Sequence, residues 1–404
     1  MSRSRFITLE EANLKNKRVL LRVDFNVALK DGQVADDSRI KATLPTIKFL
    51  HDAGASVAIL SHLGSPKAAK YDSDYSLAPV ARYLSQALAR PVPLIVDWLD
   101  ELKMESGEVV MLENIRFARG EKANTDELAR KMATLCDVYV NEAFASARRE
   151  QSSVHGIAKY LPVAYTGPLF VREVEALTRV LEDVKRPLVF LFGGMRRPET
   201  KFDVLSAQIG KADDLLVAGV LGNTFLKAMG KEVGKSLYIP ELLEAAKNIL
   251  EKAEANQNSI LMPVDVVCGT SMDEESEVVV KSVDDVDRDE LIMDIGPETV
   301  KIYNEKLTQA GTIVWSGPVG VVELEKFSKG SKEIAHKIAN SAAYSIANGG
   351  DTLALIDSED LNTKFSHLST GGGSSLEFMQ GKTLPAVVMM EESARVRYAV
   401  EREY

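Results

Sequence analysis

Short β-branched runs recur along this chain, and each is followed by a longer segment with helical spacing. The first series of runs is VLLRVDFNV, SVAILSHLG, EVVMLENIRF and DVYVNEAF. The second series is PLVFLFGG, DLLVAG, SILMPVDVV, TIVWSGP and DTLALID. Segments between them, such as SRIKATLPTIKFLHDAG and PELLEAAKNILEKAEAN, place apolar residues three and four positions apart. This alternation predicts an α/β protein with mainly parallel sheets covered on both faces.

Two series of strands predict two doubly wound domains, because a chain of 404 residues is too long for one ordinary core. We expect the first domain at residues 1–170 and the second at residues 188–385. Between them, residues 171–187 (VREVEALTRVLEDVKRP) are amphipathic and contain no glycine, which is typical of a stiff connecting helix. The tail MEESARVRYAVEREY has the composition of a polar helix.

The charge and the cysteine content argue against several classes of site and partner. A formal net charge of −10 argues against broad nucleic-acid binding, which usually needs a basic face. Cys136 and Cys268 are the only cysteines and stand far apart, so neither a disulfide framework nor a zinc site is expected. The first residues lack an apolar signal region, and no apolar run reaches membrane-spanning length. We therefore expect a cytoplasmic protein that binds neither nucleic acid nor membrane.

Polar and basic residues follow the strands of the first series. In open parallel sheets, ligands bind beyond the carboxyl ends of the strands. The residues at these ends are Asp24, Asn26, His62, Arg116, Arg148 and Arg149, and Arg39 joins them if its loop folds back over the same edge. Each arginine taken alone is equally well explained by a helix cap or a surface ion pair. Four basic segments in one half of the chain favour a pocket for phosphate and carboxylate groups.

The strands of the second series end in glycine-rich loops. These loops are GGMRRPETK, AGVLGNTF, DIGPET, WSGPVGVVE, NGGDT and STGGGSSLE. One such loop is usually a tight turn, but six at a common edge favour a nucleotide site, because glycine lets backbone N–H groups approach an anion closely. The run GKEVGKS is one residue short of the phosphate-loop pattern and does not open a clear strand–loop–helix unit. We therefore do not assign it to phosphate binding.

These motifs, in their order, resemble those of the phosphoglycerate kinase family. The matching segments run from about Lys17 to Pro385 and are RVDFNV, DDSRI, SHLGSP, ENIRF, KADDLLVAG, TFLKAMG, GKSL, PVDVV, DIGPET, VWSGPVGVVE, KFSKGS, GGDT and STGGGSSLE. The resemblance implies two Rossmann-like domains joined by a hinge helix, with residues 386–404 packing back on the first domain. It also implies glycolytic transfer of a phosphoryl group between ATP and 3-phosphoglycerate, with Mg²⁺ as cofactor, when the cleft closes. We expect a monomer.

The resemblance also assigns site residues by position. The first domain would bind 3-phosphoglycerate through Asp24, Phe25, Asn26, Arg39, His62, Leu63, Gly64, Ser65, Arg116 and Arg149. The second would bind ATP or ADP through Lys201, Glu323, Gly349, Gly350, Asp351 and Thr352, with Asp351 linked to the metal. The catalytic charges would come from Arg39, Lys201 and either Arg196 or Arg197. We expect Gly193 and Gly194 to leave room for a phosphate, and Pro198 to begin a helix whose N-terminus faces it.

The implied reaction needs no general base. Its nucleophile is a carboxylate, which is ionised near neutral pH, and the sequence shows no convincing Ser–His or Cys–His pairing. The obstacle is repulsion between anions, since two unit charges about 4 Å apart interact by roughly 4 kcal/mol at an effective dielectric constant near 20. Arginine, lysine, backbone N–H groups and Mg²⁺ offset this repulsion.

Several positions of the expected site depart from the family pattern. Ser65 stands in HLGSP where the family has an arginine, and Arg148 and Lys67 are candidates to replace the missing charge. The loop GGMRRPETK is one residue longer than the family's GGAKVSDK, and the first lysine is replaced by Arg196 when counted from the glycines or by Arg197 when counted back from Lys201. The remaining departures are Ser316 for asparagine, ASAR at 145–148 for Gly-Thr-Ala-His, and Asn348 for glycine.

These departures leave two alternatives beside an active phosphoglycerate kinase. One is a related kinase that acts on a different carboxylate or acyl phosphate. The other is a catalytically silent nucleotide-binding scaffold that has kept the fold, since fold alone does not fix function.

Overall fold

The structure is a computed structural model that describes residues 5–400. The chain divides into two compact units. The first contains the described chain up to Glu175 together with the segment from Thr383, and the second is Ala176–Lys382. The boundary falls within one helix, Pro168–Glu182, which begins before the predicted connecting segment and ends ahead of Pro187.

The first unit is built on one parallel sheet covered by helices. Its strands are β1 (Arg18–Arg22), β2 (Leu29–Lys30), β3 (Gln33–Val34), β4 (Ser56–Leu60), β5 (Leu94–Ile95), β6 (Val109–Leu112), β7 (Val138–Asn141) and β8 (Ala164–Thr166). Its helices are α1 (Ser38–Asp52), α2 (Ala78–Ala87), α3 (Asp126–Thr134) and the start of α4 (Pro168–Glu182). The sheet order is β5-β6-β4-β1-β7-β8, and β2 and β3 form a separate antiparallel pair.

The register of this sheet brings the ends of its central strands to one level. Arg22, the last residue of β1, pairs with Leu60 at the end of β4 and with Asn141 at the end of β7. The chain builds outward from β1 through β4 and β6 and then crosses to β7 and β8, so the strand order reverses beside β1. Crevices at such reversals are where open α/β sheets bind ligands.

The second unit contains a parallel sheet and a smaller antiparallel one. Its elements are β9 (Leu188–Phe192), α5 (Pro198–Gln208), β10 (Asp214–Val217), α6 (Gly219–Ala228), α7 (Leu243–Ala255), β11 (Ser259–Leu261), β12 (Asp265–Gly269), β13 (Val279–Ser282), β14 (Leu291–Ile295), α8 (Pro297–Gln309), β15 (Thr312–Ser316), α9 (Lys329–Ala339), β16 (Tyr344–Asn348), α10 (Gly350–Ser358), β17 (His367–Ser369) and α11 (Gly373–Met379). The parallel order is β11-β10-β9-β15-β16-β17, and the antiparallel order is β13-β12-β14.

The main sheet of the second unit also ends its strands at one level. Phe192 pairs with Val217 on one side and with Ser316 on the other, and Ser316 pairs with Asn348. The glycine-rich loops that follow these strands therefore start from a common edge. The predicted fold class, α/β with two sets of parallel strands, is confirmed.

Two strand predictions in the second unit were wrong. The run SILMPVDVV was predicted as one strand, but it forms β11 and β12 in different sheets, because Pro263 between them cannot donate to a strand ladder. The run DTLALID was also predicted as a strand, but it lies in helix α10. The strand is the preceding segment β16, which ends before Gly349, a glycine with φ of +104° that turns the chain into the helix.

The last helix, α12 (Pro385–Val400), belongs to the first unit. The Ala386 amide donates to the Ala147 carbonyl at 3.0 Å, and the amide of Ala164, the first residue of β8, donates to Ser393 Oγ at 2.9 Å. Residues 401–404 of the predicted tail lie outside the described residues. Within residues 5–400, none of the helices combines the length and the apolar character needed to cross a bilayer.

Candidate active site

Asp24 lies at the centre of a cluster of arginines beyond the end of β1. Arg39, in the first turn of α1, donates to Asp24 Oδ1 at 2.6 Å and to the Asn26 carbonyl at 3.2 Å. Ser146 donates to the other carboxylate oxygen at 2.7 Å. Burial alone would raise the pKa of Asp24, but nearby Arg39 and Arg22 and this hydrogen bond hold it below its usual value. Asp24 therefore remains ionised and partly neutralises the surrounding arginines.

His62 lies between two guanidinium groups. Its Nδ1 is 3.3 Å from Arg22 Nη2, and its Nε2 is 3.3 Å from Arg149 Nη1. Burial and the neighbouring arginines lower the pKa of His62 well below the usual value, against the opposing effect of Asp24. A neutral imidazole has only one acceptor nitrogen, so it accepts from one of the two arginines at a time. We conclude that His62 orients arginines and adds no positive charge of its own.

Arg116 joins this cluster through Gly64. The guanidinium of Arg116 donates to the Gly64 carbonyl, and the Gly64 amide donates to Asn26 Oδ1 at 2.8 Å. Arg116 is buried, and its Nε has no hydrogen-bond partner within the described chain. A buried donor without a partner costs free energy unless a ligand satisfies it. We call the four arginines 22, 39, 116 and 149 around Asp24 and His62 the arginine recess.

The arginines of this recess repel one another. Burial, together with Arg116 and Arg148, lowers the pKa of Arg149 to about 10. Burial also lowers the pKa of Arg116, and Arg22 adds to this effect. An anion in the recess relieves both the burial penalty and the repulsion, so the arrangement favours phosphate or carboxylate binding.

Three of the predicted substrate-binding residues occupy other environments. Phe25 and Leu63 are buried in the hydrophobic core of the first unit, so only their backbones can face a ligand. Ser65 is exposed, and its Oγ accepts a hydrogen bond from Lys122 Nζ at 2.9 Å. Lys122 was not predicted as a site residue.

The sequence reasoning also missed Arg22, which lies within β1 and is completely buried. Arg22 Nε donates to Ser153 Oγ at 2.8 Å, and Ser153 Oγ donates to the buried carboxylate of Glu121 at 2.7 Å. Burial raises the pKa of Glu121, although Arg22 opposes the change. The only sequence signal was a charged residue inside an apolar strand, RVLLR.

In the second unit, the ammonium group of Lys201 is enclosed by glycine backbone. Lys201 is 4% exposed, and its Nζ donates to the Gly193 carbonyl at 2.5 Å. A Cβ atom at Gly317 would collide with the Gly193 carbonyl and lie 2.7 Å from Lys201 Nζ. A Cβ atom at Gly219 would lie 2.9 Å from the Gly194 nitrogen. These close approaches require glycine, and we call glycines 193, 194, 219 and 317 around Lys201 the glycine cradle.

The environment of Lys201 favours loss of its proton. Burial lowers the pKa of Lys201 to about 8, and the carboxylate of Asp351 opposes the change only partly. A buried ammonium with one carbonyl partner retains donor capacity for another acceptor. Phosphate oxygens would satisfy it.

Arg196 and Arg197 occupy different positions. Arg196 Nε lies 3.1 Å from Asp351 Oδ2, and both residues line a cavity beside the glycine cradle. Arg197 is the N-cap residue of α5 and adopts a left-handed conformation with φ of 54°. Helix α5 begins at Pro198, as the sequence predicted. The geometry thus brings Arg196 close to a predicted nucleotide-binding residue.

A cavity of about 390 Å³ opens beside the cradle. Its lining includes Glu323 and Asp351, two predicted nucleotide-binding residues. Gly194 and Arg196, also predicted, line it too; most of its other walls were not predicted as site residues and are largely apolar, including Val220, Leu237, Pro263, Val266, Met272, Val321 and Leu324. This volume and character suit a partly apolar small molecule. The sequence signal for these walls was the prediction that the loops AGVLGNTF, DIGPET and WSGPVGVVE lie at a common edge of the sheet.

The other predicted nucleotide-binding residues form the start of α10. Gly349 is the N-cap residue and Gly350 the first helical residue, so this end of the helix favours an anion. Thr352 is buried, and its hydroxyl accepts a hydrogen bond from the Gly317 amide at 2.9 Å. Thr352 therefore supports the glycine cradle. GKEVGKS is not followed by a phosphate-loop helix, and Ser236 Oγ accepts from the Ile292 amide at 2.7 Å.

The described residues of the second unit fit an Mg²⁺ ion that is bound jointly by a protein carboxylate and the phosphates of a nucleotide. Within residues 5–400, no group of three or more His, Cys, Asp or Glu side chains is placed to hold a metal ion. Mg²⁺ usually takes one or two protein carboxylates and completes its coordination with water and substrate phosphates. Asp351, on the cavity wall at the start of α10, can supply such a carboxylate.

Comparison with known proteins identifies the family. The phosphoglycerate kinase family model matches residues 9–382. This chain belongs to the phosphoglycerate kinase family. A phosphoglycerate kinase from Legionella pneumophila (strain Paris) is 48% identical over 389 residues, which cover 96% of this chain and 98% of that protein. One from Francisella tularensis subsp. tularensis (strain WY96-3418) is 46% identical, with 96% and 99% covered.

Solved structures agree with this assignment. The phosphoglycerate kinase of Coxiella burnetii is 46% identical and aligns with a TM-score of 0.84, covering 96% of this chain and 99% of that one. That of Pyrococcus horikoshii OT3 is 34% identical, with a TM-score of 0.86 and the same coverage. The resemblance and the enzyme class predicted from the motifs are therefore confirmed. None of these matches supports the alternative kinase or the silent scaffold.

Proposed function

We propose that this chain catalyses reversible phosphoryl transfer between ATP and the carboxylate of 3-phosphoglycerate, the reaction of its family, in glycolysis. A carboxylate oxygen forms a bond to the γ-phosphorus, the bond from that phosphorus to the β–γ bridging oxygen breaks, and ADP leaves. The nucleophile carries no proton that must be removed, so the enzyme mainly has to position anions and offset their charge. The observation that carries the proposal is the buried ammonium of Lys201 in the glycine cradle.

The first unit would hold the phosphorylated acid. Transfer requires the carboxylate to face the nucleotide, so the arginine recess is best suited to the phosphate at the other end of the substrate. Arg39, Arg116 and Arg149 supply guanidinium donors that match a phosphate group, and the unpartnered Nε of Arg116 gains an acceptor. Asp24 and His62 would keep these arginines oriented before the substrate arrives.

The second unit would hold the nucleotide. The cavity would accept the nucleoside and Glu323, on its wall, would bind the ribose, while the start of α10 and the cradle would bind the phosphates. Lys201 and Arg196 would donate to the transferring group. We assign Arg196, not Arg197, as the replacement for the family's lysine, because it contacts Asp351 and lines the cavity. Mg²⁺ held by Asp351 and the phosphates would neutralise negative charge on the nucleotide.

The two sets of residues belong to different units, so we further propose that hinge motion around α4 closes the enzyme on its ligands and excludes water. We also propose a cytoplasmic monomer. The two cysteines are buried and unpaired, which fits a reducing compartment. Light scattering after size-exclusion chromatography tests the monomer, and small-angle scattering with and without both ligands tests closure.

The decisive test is a coupled assay of ADP formation from ATP and Mg²⁺ with a panel of carboxylates. We expect turnover that saturates in both ATP and 3-phosphoglycerate. Turnover only with a different acid would support the related-kinase alternative. Nucleotide binding without turnover on any acid of the panel would support the silent scaffold.

A further inference from the structure

Lys122 brings an additional positive charge to the edge of the arginine recess. Its Nζ donates to Ser65 Oγ at 2.9 Å. Ser65 directly follows Gly64, whose amide donates to Asn26 Oδ1 at 2.8 Å and whose carbonyl accepts from Arg116. The ammonium group is thus hydrogen-bonded to Ser65, and the neighbouring residue Gly64 contacts Asn26 and Arg116 of the predicted substrate site.

The backbone that carries Lys122 is held in place by buried contacts. The side chain of the preceding residue, Glu121, accepts from the amide of Ser153 at 3.0 Å and from its hydroxyl at 2.7 Å. The Glu121 carbonyl accepts from the Ser152 amide at 3.1 Å. Because Ser153 also bonds to Arg22 of the recess, the position of Lys122 is tied to the position of the recess.

The partner of Lys122 leaves its charge available. A serine hydroxyl is neutral, and Ser65 is the side-chain partner of Lys122 within the described chain, with no carboxylate in ion-pairing distance. An ammonium group has three donors, and Ser65 takes one of them. The remaining donors and the full positive charge are exposed to solvent beside the recess.

We propose that Lys122 and Ser65 together form a subsite for the phosphate group of the acid substrate. The ammonium group of Lys122 donates hydrogen bonds to phosphate oxygens. Ser65 positions the ammonium group and donates a hydrogen bond from its own hydroxyl to the same phosphate. This inference rests on the proposed function, which places the phosphate in the recess. It also explains how the recess keeps its charge although residue 65 is a serine where the family pattern has arginine.

The test measures binding of 3-phosphoglycerate to the full-length protein by calorimetry, together with kcat and KM for both substrates. Lys122→Ala should weaken 3-phosphoglycerate binding about tenfold, the lower end expected for loss of one charge-assisted hydrogen bond. KM for ATP should stay within twofold. Lys122→Arg, which keeps the charge, should stay within about threefold of the unmodified protein, and Ser65→Ala should weaken binding by a smaller factor than Lys122→Ala.

Lys70→Ala is the matched control, because Lys70 is an exposed lysine in the loop of Ser65 and its loss changes the net charge equally. It should change binding less than twofold. Equal effects of Lys70→Ala and Lys122→Ala would mean that only the overall field matters and would overturn the subsite. The inhibition constant of inorganic phosphate should rise with Lys122→Ala by a similar factor. An unchanged constant would show that the subsite does not bind phosphate.

Circular dichroism and thermal melting of each variant exclude unfolding as the cause. The two proposals fail in different ways. If the unmodified protein neither binds nor phosphorylates 3-phosphoglycerate, the proposed function is wrong. If the unmodified protein is active and Lys122→Ala binds the acid equally well, only the subsite is wrong.

Discussion

The arginine recess and the glycine cradle both present positive charge to anions, but they are built differently. The recess uses long side chains held apart by Asp24 and His62, and its charge is partly neutralised before any ligand binds. The cradle uses backbone atoms packed so closely that side chains are excluded, and it encloses the ammonium group of Lys201. We expect the recess to tolerate single substitutions with graded losses, and the cradle to fail when one atom is added.

The largest effect should come from adding one methyl group to the cradle. Gly317→Ala would push a Cβ atom against the Gly193 carbonyl and Lys201 Nζ, and the displaced ammonium should lower kcat about 1,000-fold. Gly230→Ala is the matched control, because Gly230 also has positive φ, at +84° against +94°, but has open space around its Cβ position. Backbone strain should cost each variant roughly 1–2 kcal/mol of stability, and Gly317→Ala should lose more because its Cβ also collides with the Gly193 carbonyl. If Gly230→Ala loses as much activity as Gly317→Ala, close packing in the cradle is not the cause.

Replacing the cradle's charge should separate activity from stability. Lys201→Met should lower kcat about 100-fold, because the transferring group loses a buried cation. The pKa of Lys201 is lowered to about 8 by burial, so folding is penalised while the group is charged. The penalty is complete below pH 8 and fades as pH rises towards the unfolded value near 10.5. At pH 7, Lys201→Met should therefore unfold at a higher denaturant concentration than the original chain. Its free energy of unfolding should be larger by up to roughly 3 kcal/mol. A less stable variant at that pH would contradict this account.

These two regions also differ in how far the sequence alone revealed them. Arg116 and Arg149 were predicted because several basic segments follow strands in one half of the chain, and Arg39 was added on the condition that its loop folds back over the same edge. Lys122 was not, because it lies 57 residues from Ser65 and nothing in its own segment points to that contact. Arg22 was missed because its segment was interpreted as core.

In the cradle, glycine loops located the site, but they did not show which atoms approach each other. The contact of Gly317 with Gly193 depends on the register between β15 and β9, a long-range property. The apolar walls of the cavity, such as Val220 and Leu237, have the same residue types as the core. The misassigned strand at residues 351–357 shows the same limit, since Leu355 and Ile356 are buried residues of a helix and also suit a strand.

A moderate effect should decide which arginine of GGMRRPETK serves the transfer. Arg196→Gln should lower kcat about tenfold, because Arg196 lies 3.1 Å from Asp351 and lines the cavity. Arg197→Gln should change kcat less than threefold, since this residue caps α5 outside the cavity lining. The side chain of Arg196 is largely exposed, so its ion pair with Asp351 adds little stability and neither change should alter the melting temperature much. The reverse order of effects on kcat would assign the role to Arg197.

The smallest effect, about twofold at pH 8, should be a difference in how the two regions respond to pH. The ammonium of Lys201 is protonated below about pH 8, whereas the arginines of the recess keep their charge, with Arg149 titrating at about 10. The value of kcat/KM for ATP reports ionisation of the free enzyme, so it should fall about tenfold for each pH unit well above 8. Binding of 3-phosphoglycerate should change less than twofold between pH 7.5 and 9. The residual activity of Lys201→Met should show no such decline, because the titrating ammonium group is absent. A decline that persists in this variant would show that another group limits activity at alkaline pH, and that the single buried ammonium does not distinguish the cradle from the recess.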